Sequence, residues 1–179
     1  MRVRARVPPR ASIMRRRIRR TERRRPVREV KTATATATSG LKMECVTAHH
    51  EFVISGAPTM GGNGRGVDPA ETLIAALGAC ALVIAKSFAP LKGIDLTSIS
   101  VDVVGEFDDY GFEFLQQEVK SSRVGYSRIS STYRIESKNS AEEVEEFIRF
   151  VEGNCPVRDT LEAAPEFATS VVHTAAAAS

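Results

Sequence analysis

Residues 73–85 read Leu-Ile-Ala-Ala-Leu-Gly-Ala-Cys-Ala-Leu-Val-Ile-Ala, thirteen positions in a row without a charge. A run of that length is too long for an ordinary buried strand and suits a helix. The residues ahead of it spell a helix start, with Asp68 as N-cap, Pro69 in the first helical position and Glu71 three residues after the cap. The helix is expected to end near Pro90 to Gly93. Thirteen residues fall short of the roughly 20 that span a bilayer, and Lys86 and Pro90 follow the run. It therefore predicts a buried core helix and no membrane segment, and the rest of the chain must wrap around it.

The flanking sequence supplies the wrapping. Residues 32–38 alternate Thr and Ala at period two and predict a first strand, with Ser39-Gly40 as its turn. Residues 41–48 and 50–55 follow as second and third strands, and residues 61–66, Gly-Gly-Asn-Gly-Arg-Gly, read as a connecting loop. That loop lacks the Gly-x-Gly-x-x-Gly spacing and the later acidic residue of a dinucleotide site, so no such cofactor is expected. After the helix, residues 97–107 predict a strand with Ile99, Val101 and Val103 on one face. Residues 108–111 turn the chain, and residues 119–137 give one long strand or two short ones. Residues 141–152 carry Val144, Phe147, Ile148 and Val151 at the spacing of an amphipathic helix that Gly153 stops. A short helix follows Cys155, with Pro156 first, and residues 166–173 predict a last strand. Strands, core helix, strands, helix and strand in that order make an α+β fold rather than alternating βα units.

A chain of 179 residues holds one domain with a real core and a tail. The boundary is read between residues 1–31 and 32–179, because the formal charge of +3 conceals an asymmetry: residues 1–31 carry +12 and the remainder −9. An acidic body is not expected to bind nucleic acid, which needs a basic face on the folded part. The tail, with thirteen Arg, Pro8, Pro9 and Pro26 and no hydrophobic period, is expected to be extended and disordered. Its composition fits an organelle transit peptide, a polyanion contact, or a start codon placed upstream of Met14 or Met43. Three cysteines are too few for a disulfide scaffold, and a reducing compartment, the cytoplasm, is the expected location.

The cysteines differ in context. Cys80 lies on the helical face of Leu73, Ala76, Leu77, Val83 and Ile84, so by local reading it is a buried, inert core thiol. It sits about three turns from the helix start, beyond reach of the helix dipole. Cys155 precedes Pro156 at a helix start, where unpaired backbone N–H groups favour a thiolate, and Arg158 lies one turn on. Locally it is the more acidic thiol; a simple helix cap is the alternative reading. Cys45 falls in a strand ahead of His49 and His50. Adjacent strand residues face opposite ways, so these histidines cannot join Cys45 around one ion, and no metal site is expected.

Gly66-x-x-Pro69, eleven residues before Cys80, and Cys155-Pro156-x-x-x-Thr160-Leu161 occur in an order and separation that resemble the OsmC/Ohr family of osmotically inducible and organic-hydroperoxide-resistance proteins. The resemblance runs from about Thr32 to the C-terminus. It implies an OsmC-like fold, antiparallel sheets around a long central helix in an intertwined homodimer with sites at the subunit boundary. It also implies an oxidative-stress peroxidase acting on organic hydroperoxides. Cys80 would attack the peroxide and Cys155 would resolve the sulfenic acid as a disulfide, with an external dithiol as reductant and no metal, haem or flavin. A second reading is an OsmC-like protein without peroxidase activity that binds a small apolar or thiol-reactive ligand. Two departures favour it. Where family members place a hairpin Arg, this chain has Ser39-Gly40-Leu41-Lys42, leaving Lys42 and the loop's Arg65 as candidate cations. The family's Glu after the helix-starting Pro is displaced to Glu71, about half a turn off the face of Cys80. One observation on the residues agrees with a dimer: the helix is apolar nearly all round, and a body of about 148 residues has few strands to cover it.

Overall fold

The computed structural model describes residues 29–56, 64–108 and 124–175, and the elements below belong to the unit Ala33–Ser179. The basic tail up to residue 28, residues 57–63 of the glycine-rich loop, residues 109–111 of the expected turn and residues 119–123 of the expected strand lie outside the described residues.

Strands β1 (Ala33–Ala37), β2 (Lys42–Thr47) and β3 (Glu51–Ser55) form an antiparallel sheet in the order β1-β2-β3. Gly40 closes the first hairpin with φ +59, a conformation that favours glycine. Helix α1 (Pro69–Phe88) begins where Asp68 Oδ1 accepts from the Ala70 N–H at 2.8 Å and the Glu71 N–H at 3.4 Å. Glu71 contributes its backbone N–H to this cap and lines a cavity further along. A 3-10 turn at Pro90–Lys92 and Gly93 at φ +70 end the helical segment where the sequence placed its stop.

Strands β4 (Leu96–Asp108) and β5 (Gly125–Ser137) pair antiparallel in a second sheet. Ile99, Val101 and Val103 are half-buried and their neighbours Ser100, Asp102 and Val104 exposed, the alternation the sequence predicts. Helix α1 lies on β4 and comes close at Gly78, where an added Cβ would stand 3.1 Å from Val103 Cγ2 and 3.3 Å from Val101 Cγ1. Helix α2 (Ala141–Gly153) starts with a complete capping box of Ser140 and Glu143. It buries Phe147 and Val151 with Ala81, Ala85, Ala89 and Ile94, and this cluster is the core. Helix α3 (Pro156–Glu162) follows directly, with Cys155 as its N-cap.

Two expectations are corrected. Residues 166–173 form no ladder among the described residues, and Phe167, Val171 and Val172 are exposed at 85%, 86% and 92%. Alternating apolar residues make a strand only where a sheet edge receives them, and none does so among the described residues. The face of Cys80 is also not uniformly buried: Leu77 is, Ile84 is half-buried, but Leu73, Ala76 and Val83 are exposed. The buried line of α1 runs instead through Leu77, Gly78, Ala81 and Ala85, the side that meets β4 and α2. At 20 residues α1 has the length and apolarity to cross a membrane. Here it lies against β4 and the core of α2.

Candidate active site

Three elements meet at the thiols. Helix α1 carries Cys80 a little over three turns past its cap, Asp68. The junction between α2 and α3 carries Cys155, held by the Cys155 N–H donating to Glu152 O at 3.3 Å and Asn154 Nδ2 donating to Phe150 O at 2.7 Å. Strand β5 contributes Tyr133. Cys80 and Cys155 are both free, and the Cys80 thiol lies close enough to Cys155 to act on its ionisation. Cys155 is 2% exposed, while Cys80 is only half-buried. An inert core Cys80, the local reading, is thereby replaced by one that a solute can reach.

The acidity expected of Cys155 is also reversed. The backbone N–H groups of Arg158 and Val157 do point at its sulfur and lower its pKa, as the helix start predicted. Burial outweighs them and pushes the thiol up, and the neighbouring Cys80, as acceptor of the Cys155 S–H and as a negative charge, adds to that. Cys155 is thus held protonated against Cys80.

Arg158 touches this site through its backbone. Its guanidinium is engaged elsewhere, with Nη1 2.8 Å from Glu152 Oε1 and Nε 2.7 Å from Glu162 Oε1, which raises its pKa further. Tyr133 stands among Glu152, Arg158 and Cys155; burial, then the Glu152 charge, raises its phenol above the ordinary range. A cavity of about 340 Å³ opens beside these groups, walled by Leu77, Tyr126, Ile129, Glu152, Arg158 and Leu161.

The other candidates belong to other segments of the chain. Lys42 Nζ lies 2.6 Å from Glu44 Oε1 at the start of β2. Arg65 is exposed in the segment leading to Asp68, below the N-terminus of α1. Glu71 is about 14 Å of helix rise from Cys80 and lines a separate cavity of about 410 Å³ with Ile74, Gly78, Leu82, Val101 and Val103. Cys45 is buried in β2, opposite Ala35 and Phe52. Among the described residues no three His, Cys, Asp or Glu side chains converge as metal ligands. Sequence reading missed Glu152, Glu162 and Tyr133. The Arg158–Glu162 pair has a visible signal, the i,i+4 spacing; Glu152 and Tyr133 come from other elements and have none.

The family model described as OsmC-like protein matches residues 61–170, the stretch that holds both cysteines. The chain belongs to the OsmC-like family. Among its OsmC-like relatives, the hydroperoxide reductase of Mycoplasma pneumoniae is 26% identical over 138 residues, 77% of this chain and 91% of that protein. That of Mycoplasma genitalium is 27% identical over 107 residues, 60% of this chain and 70% of its own length. The crystal structure of an OsmC-like protein from Mycoplasma pneumoniae superimposes with a TM-score of 0.64 at 25% identity, covering 76% of this chain and 89% of that one. An OsmC-like protein of Vibrio cholerae gives 0.62 at 14% identity, over 75% and 95%. The OsmC-like fold expected from the sequence is therefore the one observed.

Proposed function

We propose that this OsmC-like chain is a thiol-dependent peroxidase for organic hydroperoxides, with Cys80 as the attacking thiol and Cys155 as the resolving one. The observation that carries this reading is the apposition of a half-exposed Cys80 and a buried Cys155, both free, and the hydroperoxide reductase names of two relatives agree with it. The Cys80 thiolate attacks one peroxide oxygen, the O–O bond breaks, Cys80 becomes a sulfenic acid and the alcohol leaves after taking up a proton. Loss of the Cys80 charge and thiol removes two of the causes that hold the proton on Cys155. The freed Cys155 thiolate then attacks the Cys80 sulfur, an S–S bond forms, the S–O bond breaks and water departs. An external dithiol restores both thiols by two exchanges, which places the cycle in a reducing compartment such as the cytoplasm. We propose further that the working form is a homodimer, because Leu73, Ala75, Ala76, Ala79 and Val83 leave one side of α1 uncovered.

The reduced protein should be treated with one equivalent of cumene hydroperoxide, in parallel with hydrogen peroxide, and its cysteines mapped by peptide mass spectrometry. A rapid Cys80–Cys155 disulfide, faster with the organic peroxide, is the expected result; two intact thiols would defeat the proposal. One observation favours a second reading, an OsmC-like binder of a small apolar or thiol-reactive ligand. Lys42 is tied to Glu44 and the Arg158 guanidinium to two carboxylates, which leaves these two cations neutralised rather than aimed at Cys80.

A further inference from the structure

Cys155 lies midway between two residues that grip each other. Glu152 is three positions before it on the last turn of α2, and Arg158 three positions after it on α3. Their ion pair closes the chain across the cysteine at 2.8 Å, while Glu162 takes the other edge of the guanidinium at 2.7 Å. Helix α3 has seven residues, none of them buried. So short a helix is marginal by itself and must be fixed by tertiary contacts. Its Val157 and Arg158 N–H groups bear on the Cys155 sulfur, so any shift of α3 is a shift of that sulfur. The cavity of about 340 Å³ along Arg158, Leu161 and Glu162 leaves α3 room to move.

We propose that Arg158, forked between Glu152 and Glu162, is a positioning residue that holds Cys155 within bonding reach of Cys80, and so sets the rate at which the disulfide closes. The inference rests on the peroxidase reading and adds to it a residue that touches neither peroxide nor the reacting oxygen. In the step it governs, the Cys155 sulfur displaces hydroxide from the Cys80 sulfenic acid; the S–S bond forms as the S–O bond breaks, and the proton lost by Cys155 leaves with that oxygen as water. Attack by Cys80 on peroxide precedes this step and does not involve the position of α3. A planar guanidinium holds two carboxylates at once, whereas an ammonium holds them less well.

The test uses the full-length reduced protein and its Arg158→Met, Arg158→Lys and Glu152→Gln variants, mixed with one equivalent of cumene hydroperoxide and quenched at intervals with dimedone. Arg158→Met should close the disulfide about tenfold more slowly, as expected when two reacting groups lose their alignment, and should accumulate the dimedone adduct on Cys80. Arg158→Lys should recover part of the rate. A merely structural role would lower the melting temperature without separating the two steps. Should Arg158→Met fail to fold, Glu152→Gln, which keeps the Arg158–Glu162 pair, should show the same separation to a smaller degree. Closure at the wild-type rate in these variants overturns the proposal. If the wild type itself shows no Cys80 oxidation, the peroxidase reading fails, and closure by diamide then reads the clamp directly: slower in Arg158→Met if the clamp positions Cys155, unchanged if it does not.

Discussion

Cys80 and Cys155 differ in exposure, and the tasks proposed for them follow that difference. Cys80→Ser should abolish consumption of cumene hydroperoxide, whereas Cys155→Ser should consume about one equivalent and stall at the sulfenic acid, which dimedone labelling and intact mass would read directly. The raised pKa of Cys155 has a further consequence for stability. An unfolded chain ionises this thiol from about pH 8.5, and the folded chain does so only higher, chiefly because the sulfur is buried. Above that pH the unfolded state binds fewer protons than the folded one, so stability falls as pH rises. The contribution is complete below about pH 8.5 and is lost as pH climbs through the folded value. The urea midpoint of the wild type should therefore decline relative to Cys155→Ala as pH rises above about 8.5; parallel curves would show that the thiol is not buried in solution.

Helix α1 is the element on which the site depends. Its start is fixed by the Asp68 carboxylate on the Ala70 and Glu71 N–H groups, and Thr72 Oγ1 donates to Asp68 O at 2.9 Å. Asp68→Ala should cost about 1 kcal/mol in chemical denaturation, the usual loss for an N-cap. Its seat on β4 is fixed by Gly78 against Val101 and Val103. Gly78→Leu places a side chain where the neighbours already stand at contact distance, and should destabilise by about 1–3 kcal/mol despite the better helix propensity of leucine. A variant as stable as wild type would mean that α1 stands further from the sheet.

For the whole molecule, the exposed apolar residues share a pattern. Leu73 and Val83 on α1 are 40% and 63% exposed, and Phe167, Val171 and Val172 near the C-terminus more so. Leaving such residues in water forgoes about 25 cal/mol for each Å² that a partner would cover. The homodimer proposed above would bury the α1 face, so light scattering should find twice the chain mass, and Val83→Glu should shift the protein to monomer with its circular dichroism retained. If wild type and variant both run as monomers, the uncovered face has no second copy upon it.

The apolar run of residues 73–85, the Asp68-Pro69 start, the alternation of Ile99, Val101 and Val103 and the stripe ending in Val151 are all local patterns, since periodicity and capping depend on near neighbours. The sequence alone therefore determined that there is a central helix, where it begins, which strands precede and follow it, and that α2 packs on the core. Residues 166–173 show the limit of such patterns, because a strand requires an edge and the sequence does not say which edge is available. The meeting of Cys80 with Cys155, the Lys42–Glu44 ion pair and the Glu152–Arg158 tie across Cys155 were decided by tertiary structure. So was the acidity of Cys155: the N–H groups that lower its pKa are local, but the burial that overrides them is imposed by distant parts of the chain.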